Sequence, residues 1–181
     1  KLRNNTGKEL FAVGEYWSSS IDTIQKFIET TDGCMSLFDV PLHYNFYRAS
    51  ISNGEFDMSQ IFEGTLVESN PFKAVTFVDN HDTEPGQALE SWVLDWFKPL
   101  AYSLVLLRRD GFPCVFYGDY YGIPEQDVSS KQGILDTLLK VRKYYAYGEQ
   151  YDYFNHKNII GFTRLGDYEH PGSGLAVVMS D

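Results

Sequence analysis

Glutamate or aspartate closes four short apolar runs in this chain: Val13-Gly14-Glu15-Tyr16-Trp17, Leu37-Phe38-Asp39-Val40-Pro41, Phe77-Val78-Asp79-Asn80-His81-Asp82 and Val115-Phe116-Tyr117-Gly118-Asp119. An acid at the C-terminal end of a parallel strand stands where β/α enzymes hold their chemistry, whereas in mid-strand it would carry a heavy desolvation cost. Two or three convergent carboxyl groups suit glycosidic cleavage, which needs a proton donor for the leaving oxygen and negative charge beside an oxocarbenium-like centre. Glu15 and Asp82 are the catalytic candidates. Proximity between carboxyls would raise the proton affinity of one of them, which favours a protonated Glu15 near neutral pH. Tyr16 and Trp17 offer a flat apolar face for a sugar ring, and His81 offers a hydrogen-bond donor for a hydroxyl. The plainer reading makes Glu15 a solvated loop acid, and Trp17 and His81 packing residues. Asp39 and Asp119 read either as strand-end scaffold bonded to backbone or as part of a cleft.

The elements that must position these residues alternate. Residues 10–13 form an apolar run, and Ile21, Ile24, Phe27 and Ile28 then recur at helical spacing. Residues 35–40 repeat the strand signal, closed by Pro41, which cannot donate to a sheet ladder; Met58, Ile61, Phe62 and Leu66 suggest the next helix. Residues 74–78 predict a third strand and 89–109 a long helix ending near Gly111. Residues 113–117 predict a fourth strand, followed by a helix over 133–147 that stops at Gly148. Residues 150–164 and 174–179 have strand lengths around a turn, the signature of an antiparallel β module. The domain boundary is expected near Gly148, giving 1–148 and 149–181. A closed (β/α)8 barrel needs about eight such units in about 250 residues. Half that number left open would expose two sheet edges, so the chain reads as the C-terminal half of a (β/α)8 TIM barrel followed by the start of an antiparallel β domain, with a compact four-stranded α/β sheet as the alternative.

With 181 residues, 43% hydrophobic and 16% aromatic, the chain can bury a core. Its net charge of −10 argues against nucleic acid or an anionic membrane as partner, since both need a basic footprint, and leaves a neutral glycan compatible. Residues 100–107, the longest apolar stretch, are too few to span a bilayer. Cys34 and Cys114 lack metal spacing and read as unpaired, mostly buried thiols, which leans toward a cytoplasmic location over a secreted one. Asn4-Asn5-Thr6 matches a glycosylation acceptor, a weak signal.

The ordered motifs resemble the later half of the catalytic barrel of the alpha-amylases, glycoside hydrolase family thirteen, and among them the bacterial liquefying enzymes. Gly14-Glu15-Tyr16-Trp17 is similar to the fifth-strand motif, and Phe77-Val78-Asp79-Asn80-His81-Asp82-Thr83 to the seventh. Phe38-Asp39-Val40-Pro41-Leu42 resembles the sixth strand and Val115-Phe116-Tyr117-Gly118-Asp119-Tyr120-Tyr121-Gly122 the eighth. Trp96-Phe97-Lys98-Pro99-Leu100-Ala101-Tyr102 and Tyr145-Ala146-Tyr147-Gly148 extend the match into the helices. The resemblance implies retaining hydrolysis of alpha-1,4-glucans, with Glu15 as general acid/base, Asp82 as transition-state stabiliser, and Trp17, His81, Tyr16 and Asn80 binding substrate. It also implies a nucleophilic aspartate, in a fourth-strand motif that also holds an arginine and would precede Lys1; no segment here matches it. The missing N-terminal half of the barrel is therefore an expected partner, and the isolated 181 residues are expected to be inactive. A non-catalytic glycan-binding piece or pseudoenzyme, and a transglycosylase of the same family, are the alternatives. The resemblance further implies a calcium between barrel and β domain, held by the carbonyls of Gly54 and Phe56 and the carboxylate of Asp181. Against it, Lys157-Asn158 stands where the family often has a histidine and an aspartate, replacing an anionic ligand with a neutral amide beside a cation.

Overall fold

The computed structural model describes Gly7 and residues 10–181, so Asn4-Asn5-Thr6 lies outside the described residues. Four strands, β1 (Val13–Gly14), β2 (Ser36–Phe38), β3 (Ala74–Thr76) and β4 (Phe112–Pro113), lie side by side in that order, every pair parallel. All their C-terminal ends therefore share one edge. The sheet curls: the ring of Phe11, two residues before β1, meets that of Phe112 in β4 with centroids 4.7 Å apart.

Helix α1 (Ile21–Thr30) starts where Ser20 accepts from the Thr23 amide, and it buries Ile24 and Ile28 at four-residue spacing. Helix α2 (Val40–Ile51) begins directly behind β2, against the expectation that the helix of this unit would be built from Met58, Ile61, Phe62 and Leu66. Pro41 does stand outside the strand. It opens α2, because in a first turn its missing N–H has no partner to lose and its φ is already helical. The apolar positions Met58, Ile61 and Leu66 are buried, but Met58 opens a 3₁₀ turn (Met58–Gln60) that Ile61 closes, and Leu66 opens a four-residue helix α3 (Leu66–Ser69), each element started by its own cap, Asp57 and Thr65.

A second correction concerns residues 89–109. Helix α4 runs only over Lys98–Leu107, with Pro99 in its first turn. Upstream, backbone donors that a helix would need are taken by distant acceptors: Ser91 donates to the Thr83 carbonyl, Val93 to the Asp79 carboxylate and Leu94 to Ser50 Oγ. The fourth strand is likewise shorter than 113–117, since Tyr117 already belongs to α5 (Tyr117–Tyr121). A 3₁₀ turn (Pro124–Gln126) and α6 (Gln132–Tyr145), which packs on α4, complete this half.

Strands β5 (Gln150–Tyr153), β6 (Ile159–Arg164) and β7 (Leu175–Ser180) form a separate antiparallel sheet. Ile160, Phe162 and Met179 on its inner face share one continuous apolar core with Leu104, Leu107 and Leu138 of the parallel half. Arg108, at the end of α4, ties the two sheets through a two-pronged bond to Asp152 at 2.6 and 2.9 Å, its guanidinium 4.4 Å from the Phe62 ring centroid. Gly148 enters the module at φ +80°, so close to Gly166 that an added Cβ would overlap its backbone. Among the described residues no helix is long and apolar enough to cross a membrane. Both cysteines are free, and Cys34 is exposed on a turn, not buried as expected.

Candidate active site

The parallel register carries each strand-end acid to the same edge of the sheet. Glu15 follows β1 by one residue, Asp39 follows β2 by one, and the 77–83 segment leaves β3. Gly14 sits in close approach: a Cβ there would lie 2.6 Å from Met35 Sδ and 2.9 Å from a Leu37 methyl, so a side chain before Glu15 would make Met35 and Leu37 give way. With β2 between them, β1 and β3 lie roughly 10 Å apart at ~4.8 Å per neighbouring strand, a span that side chains can close around a sugar ring.

Burial sorts the acids into two classes. Glu15 is exposed, and the side chains of His81 and Asp82 retain 71% and 41% of their accessibility. Asp39, Asp79 and Asp119 are buried and fully engaged. Asp39 accepts from the backbone amides of Leu42 (3.2 Å), Leu66 (3.0 Å) and Val67 (2.7 Å), which settles it as scaffold capping α2 and α3. Burial pushes its carboxyl up to about 6, against the pull of those three amides. Asp119 is held by Lys98 Nζ and Tyr102 Oη, each 2.5 Å away.

The remaining candidates are more committed to the fold than their motifs suggest. Trp17 Nε1 donates to Tyr44 Oη at 3.0 Å, and its ring lies against His43 and Phe77. Tyr16, 38% exposed, stacks on Phe27. Asn80 spends its side-chain oxygen on the amides of Asp82 and Thr83, at 2.9 and 3.0 Å, so its carboxamide sets a turn and only its NH₂ is left for a ligand.

Two residues outside the candidate set hold this region. His43 is fully buried and donates from Nδ1 to the Val78 carbonyl at 2.6 Å, with Nε2 2.8 Å from Ser91 Oγ. Burial, aided by the nearby Lys98 charge, lowers its pKa to about 4, so the ring is neutral at ordinary pH. Lys98 is 1% exposed and bridges Asp79 (2.7 Å) and Asp119 across the ends of β3 and β4. The available signal was a lysine inside the apolar run Phe97 to Leu107, which must find a carboxylate or stay neutral.

For the implied calcium, the observation in favour is that both carboxylate oxygens of Asp181 are buried with no hydrogen-bond partner. Register places Asp181 beyond the Ile159–Ser180 pair, beside Asn158, whose Nδ2 donates to the Gly54 carbonyl at 3.1 Å. Lys157 is drawn off by Glu55 at 3.2 Å. Among the described residues no three His, Cys, Asp or Glu side chains converge. One carboxylate with neutral oxygens fits calcium as a weak ligand set.

No family model matches the chain. It is 58% identical over 180 residues to an alpha-amylase of Geobacillus stearothermophilus, covering 99% of this chain and 33% of that protein. Over nearly its whole length the chain is similar to a segment of bacterial alpha-amylases. A glucan 1,4-alpha-maltohexaosidase of Bacillus sp. (strain 707) is 54% identical over 180 residues, with 99% of this chain and 35% of that protein covered. The chain thus spans about a third of the length of the curated relatives it matches. Among solved structures, a cyclomaltodextrin glucanotransferase, CldA, superposes with a TM-score of 0.67 at 19% identity, over 99% of this chain and 40% of that one. At that identity the likeness concerns the fold: the chain is the second half of a TIM barrel leading into an antiparallel β module.

Proposed function

We propose that the polypeptide carrying this chain is a retaining glycoside hydrolase of alpha-1,4-glucans, with Glu15 as general acid/base and Asp82 as stabiliser. The observation that carries this reading is the sorting of acids: the two at the open edge are Glu15 and Asp82, while Asp39, Asp79 and Asp119 are buried in structural bonds. In the first step a nucleophilic carboxylate from outside these 181 residues attacks the anomeric carbon to form the glycosyl-enzyme while Glu15 gives its proton to the glycosidic oxygen of the leaving sugar. In the second the Glu15 carboxylate takes a proton from the water that releases the glycosyl-enzyme. Asp82 lends negative charge to the oxocarbenium-like transition states, and His81, 3.5 Å from it, donates to a sugar hydroxyl. The exposed edge of Tyr16, the free NH₂ of Asn80 and the ring of Trp17 would bind the substrate beside these acids. Residues 1–148 act as the barrel half and 149–181 as the start of the β domain. Calcium, where bound, would rest on Asp181 with the carbonyls of Gly54 and Phe56, and it would supply a clamp between the two. The acidic chain is expected to bind neither nucleic acid nor anionic membrane.

The test is starch hydrolysis by the intact polypeptide that carries this chain, with the anomeric form of the product followed by NMR. Glu15→Gln and Asp82→Asn should each lower kcat at least about 100-fold. Retained activity in either, or inverted product, overturns the assignment. A second reading, glycan binding without turnover, rests on the absence of any segment matching the nucleophile motif within these 181 residues. The isolated chain is expected to show no hydrolysis, and hydrolysis by it would refute the need for an external nucleophile.

A further inference from the structure

The segment joining β3 to α4, residues 77–97, contains no helix or strand, yet it carries Asp82. Its path is therefore set by side chains. Asn80 Oδ1 accepts the amides of Asp82 and Thr83, and Thr83 Oγ1 accepts the Asn80 amide at 3.0 Å while donating to Asp79 Oδ1 at 2.9 Å. The Asp82 carbonyl accepts from Leu89 and the Thr83 carbonyl from Ser91, each at 3.1 Å, so the turn is pinned from both sides. Thr83 is fully buried.

Beyond Thr83 the bonds continue inward. Asp79 Oδ2 receives Lys98 Nζ at 2.7 Å, Lys98 reaches Asp119, and Asp119 takes the Tyr102 hydroxyl; the ammonium also lies 3.2 Å from the Trp92 ring centroid. A buried ion triad is seldom the most stable filling for a core, because desolvation offsets much of the attraction. Its distinguishing property is geometric: it fixes the end of β3, the start of α4 and helix α5 to one point.

We propose that Thr83 and Lys98 are positioning residues for Asp82, the hydroxyl of Thr83 coupling the Asp82 turn to the Asp79–Lys98–Asp119 anchor. This rests on the reading of Asp82 as transition-state stabiliser. A carboxylate in that role acts only when held within about half an ångström, and a displacement near 1 Å can lower a rate about 100-fold. Neither Thr83 nor Lys98 needs to touch substrate.

The decisive experiment compares Thr83→Val with Thr83→Ser in the intact polypeptide that carries this chain, on soluble starch. Valine keeps the volume and removes the hydroxyl, leaving the Asn80 amide and one Asp79 lone pair unpartnered. We expect kcat per folded molecule to fall about 10- to 100-fold with KM within about twofold, and serine to recover most of it. Lys98→Met should show the same split, with partial recovery in Lys98→Arg; should Lys98→Met fail to fold, the threonine pair decides alone. A Thr83→Val protein that is less stable but turns over like the parent, or a serine variant no better than valine, overturns the proposal. A parent polypeptide that does not hydrolyse starch, or whose Asp82→Asn variant is fully active, overturns instead the reading on which it rests.

Discussion

Asp39 ends the β2 motif just as Glu15 ends that of β1, and replacing it distinguishes a structural acid from a catalytic one. Its carboxylate is fully buried and serves the amides of Leu42, Leu66 and Val67. Burial raises its pKa from 3.8 to about 6; at about 1.4 kcal/mol per unit, the ionised form costs about 3 kcal/mol at neutral pH. Alanine would relieve that cost but strand three buried amides, each worth about 1–3 kcal/mol. The net expectation for Asp39→Ala is a loss of about 3 kcal/mol. Asparagine keeps an oxygen for Leu42 and Leu66, which share Oδ1, and loses only the Val67 acceptor, so at pH 7 Asp39→Asn should lie within about 1 kcal/mol of the parent. The sign of the pH dependence follows from the raised pKa. The parent's contribution is complete below pH 3.8 and is lost as pH rises through about 6, so asparagine should gain on the parent by about 2 kcal/mol between pH 4 and 7. Denaturant unfolding of the intact polypeptide across that range, with turnover per folded molecule alongside, tests all of this. An alanine variant as stable as the parent but inactive would refute the scaffold assignment, and an asparagine variant whose stability tracks the parent's at every pH would refute the shifted pKa.

Two further outcomes follow from the same geometry. His43 is held neutral with its pKa lowered to about 4, so its contribution is complete above pH 6.5 and is lost as pH falls through about 4; the stability gap between parent and His43→Gln should widen by about 3 kcal/mol between pH 4 and 7, and a constant gap would mean that folding does not lower the ring's pKa. Gly148→Ala combines φ +80° with a Cβ aimed into the Gly166 backbone, so it should lower stability by more than about 1 kcal/mol, whereas Gly133→Ala, on helix α6 with open space around it, should be neutral or stabilising; equal melting temperatures for the two variants would refute the close approach.

The order of the parallel strands was legible because an acid, glycine or proline stands at or within three residues of each strand's end, and the buried faces of α1 and α6 repeat at helical spacing. What escaped the sequence were segments whose backbone partners lie far away. Residues 89–97 have the composition of the helix that follows them, yet Ser91, Val93 and Leu94 give their amides to Thr83, Asp79 and Ser50. Local periodicity cannot register such bonds. Pro41 misled in the opposite way, since a residue that cannot continue a strand is equally one suited to begin a helix.

The same limit explains why the site was half legible. Asp79 and Asp82 stand three residues apart in one apolar-to-acidic motif, and nothing within that motif says which is buried. The difference is made by Lys98, nineteen positions beyond Asp79, whose ammonium draws one carboxylate inward while the Asn80 turn carries the other outward. A charge in a low-dielectric interior must be matched, so a lysine between Phe97 and Pro99 requires a carboxylate from elsewhere in the chain. That requirement assigns Asp79 and Asp119 to the anchor and frees Asp82 for the rim. The acids proposed for catalysis are therefore singled out as much by the cation that does not reach them as by the strands that carry them.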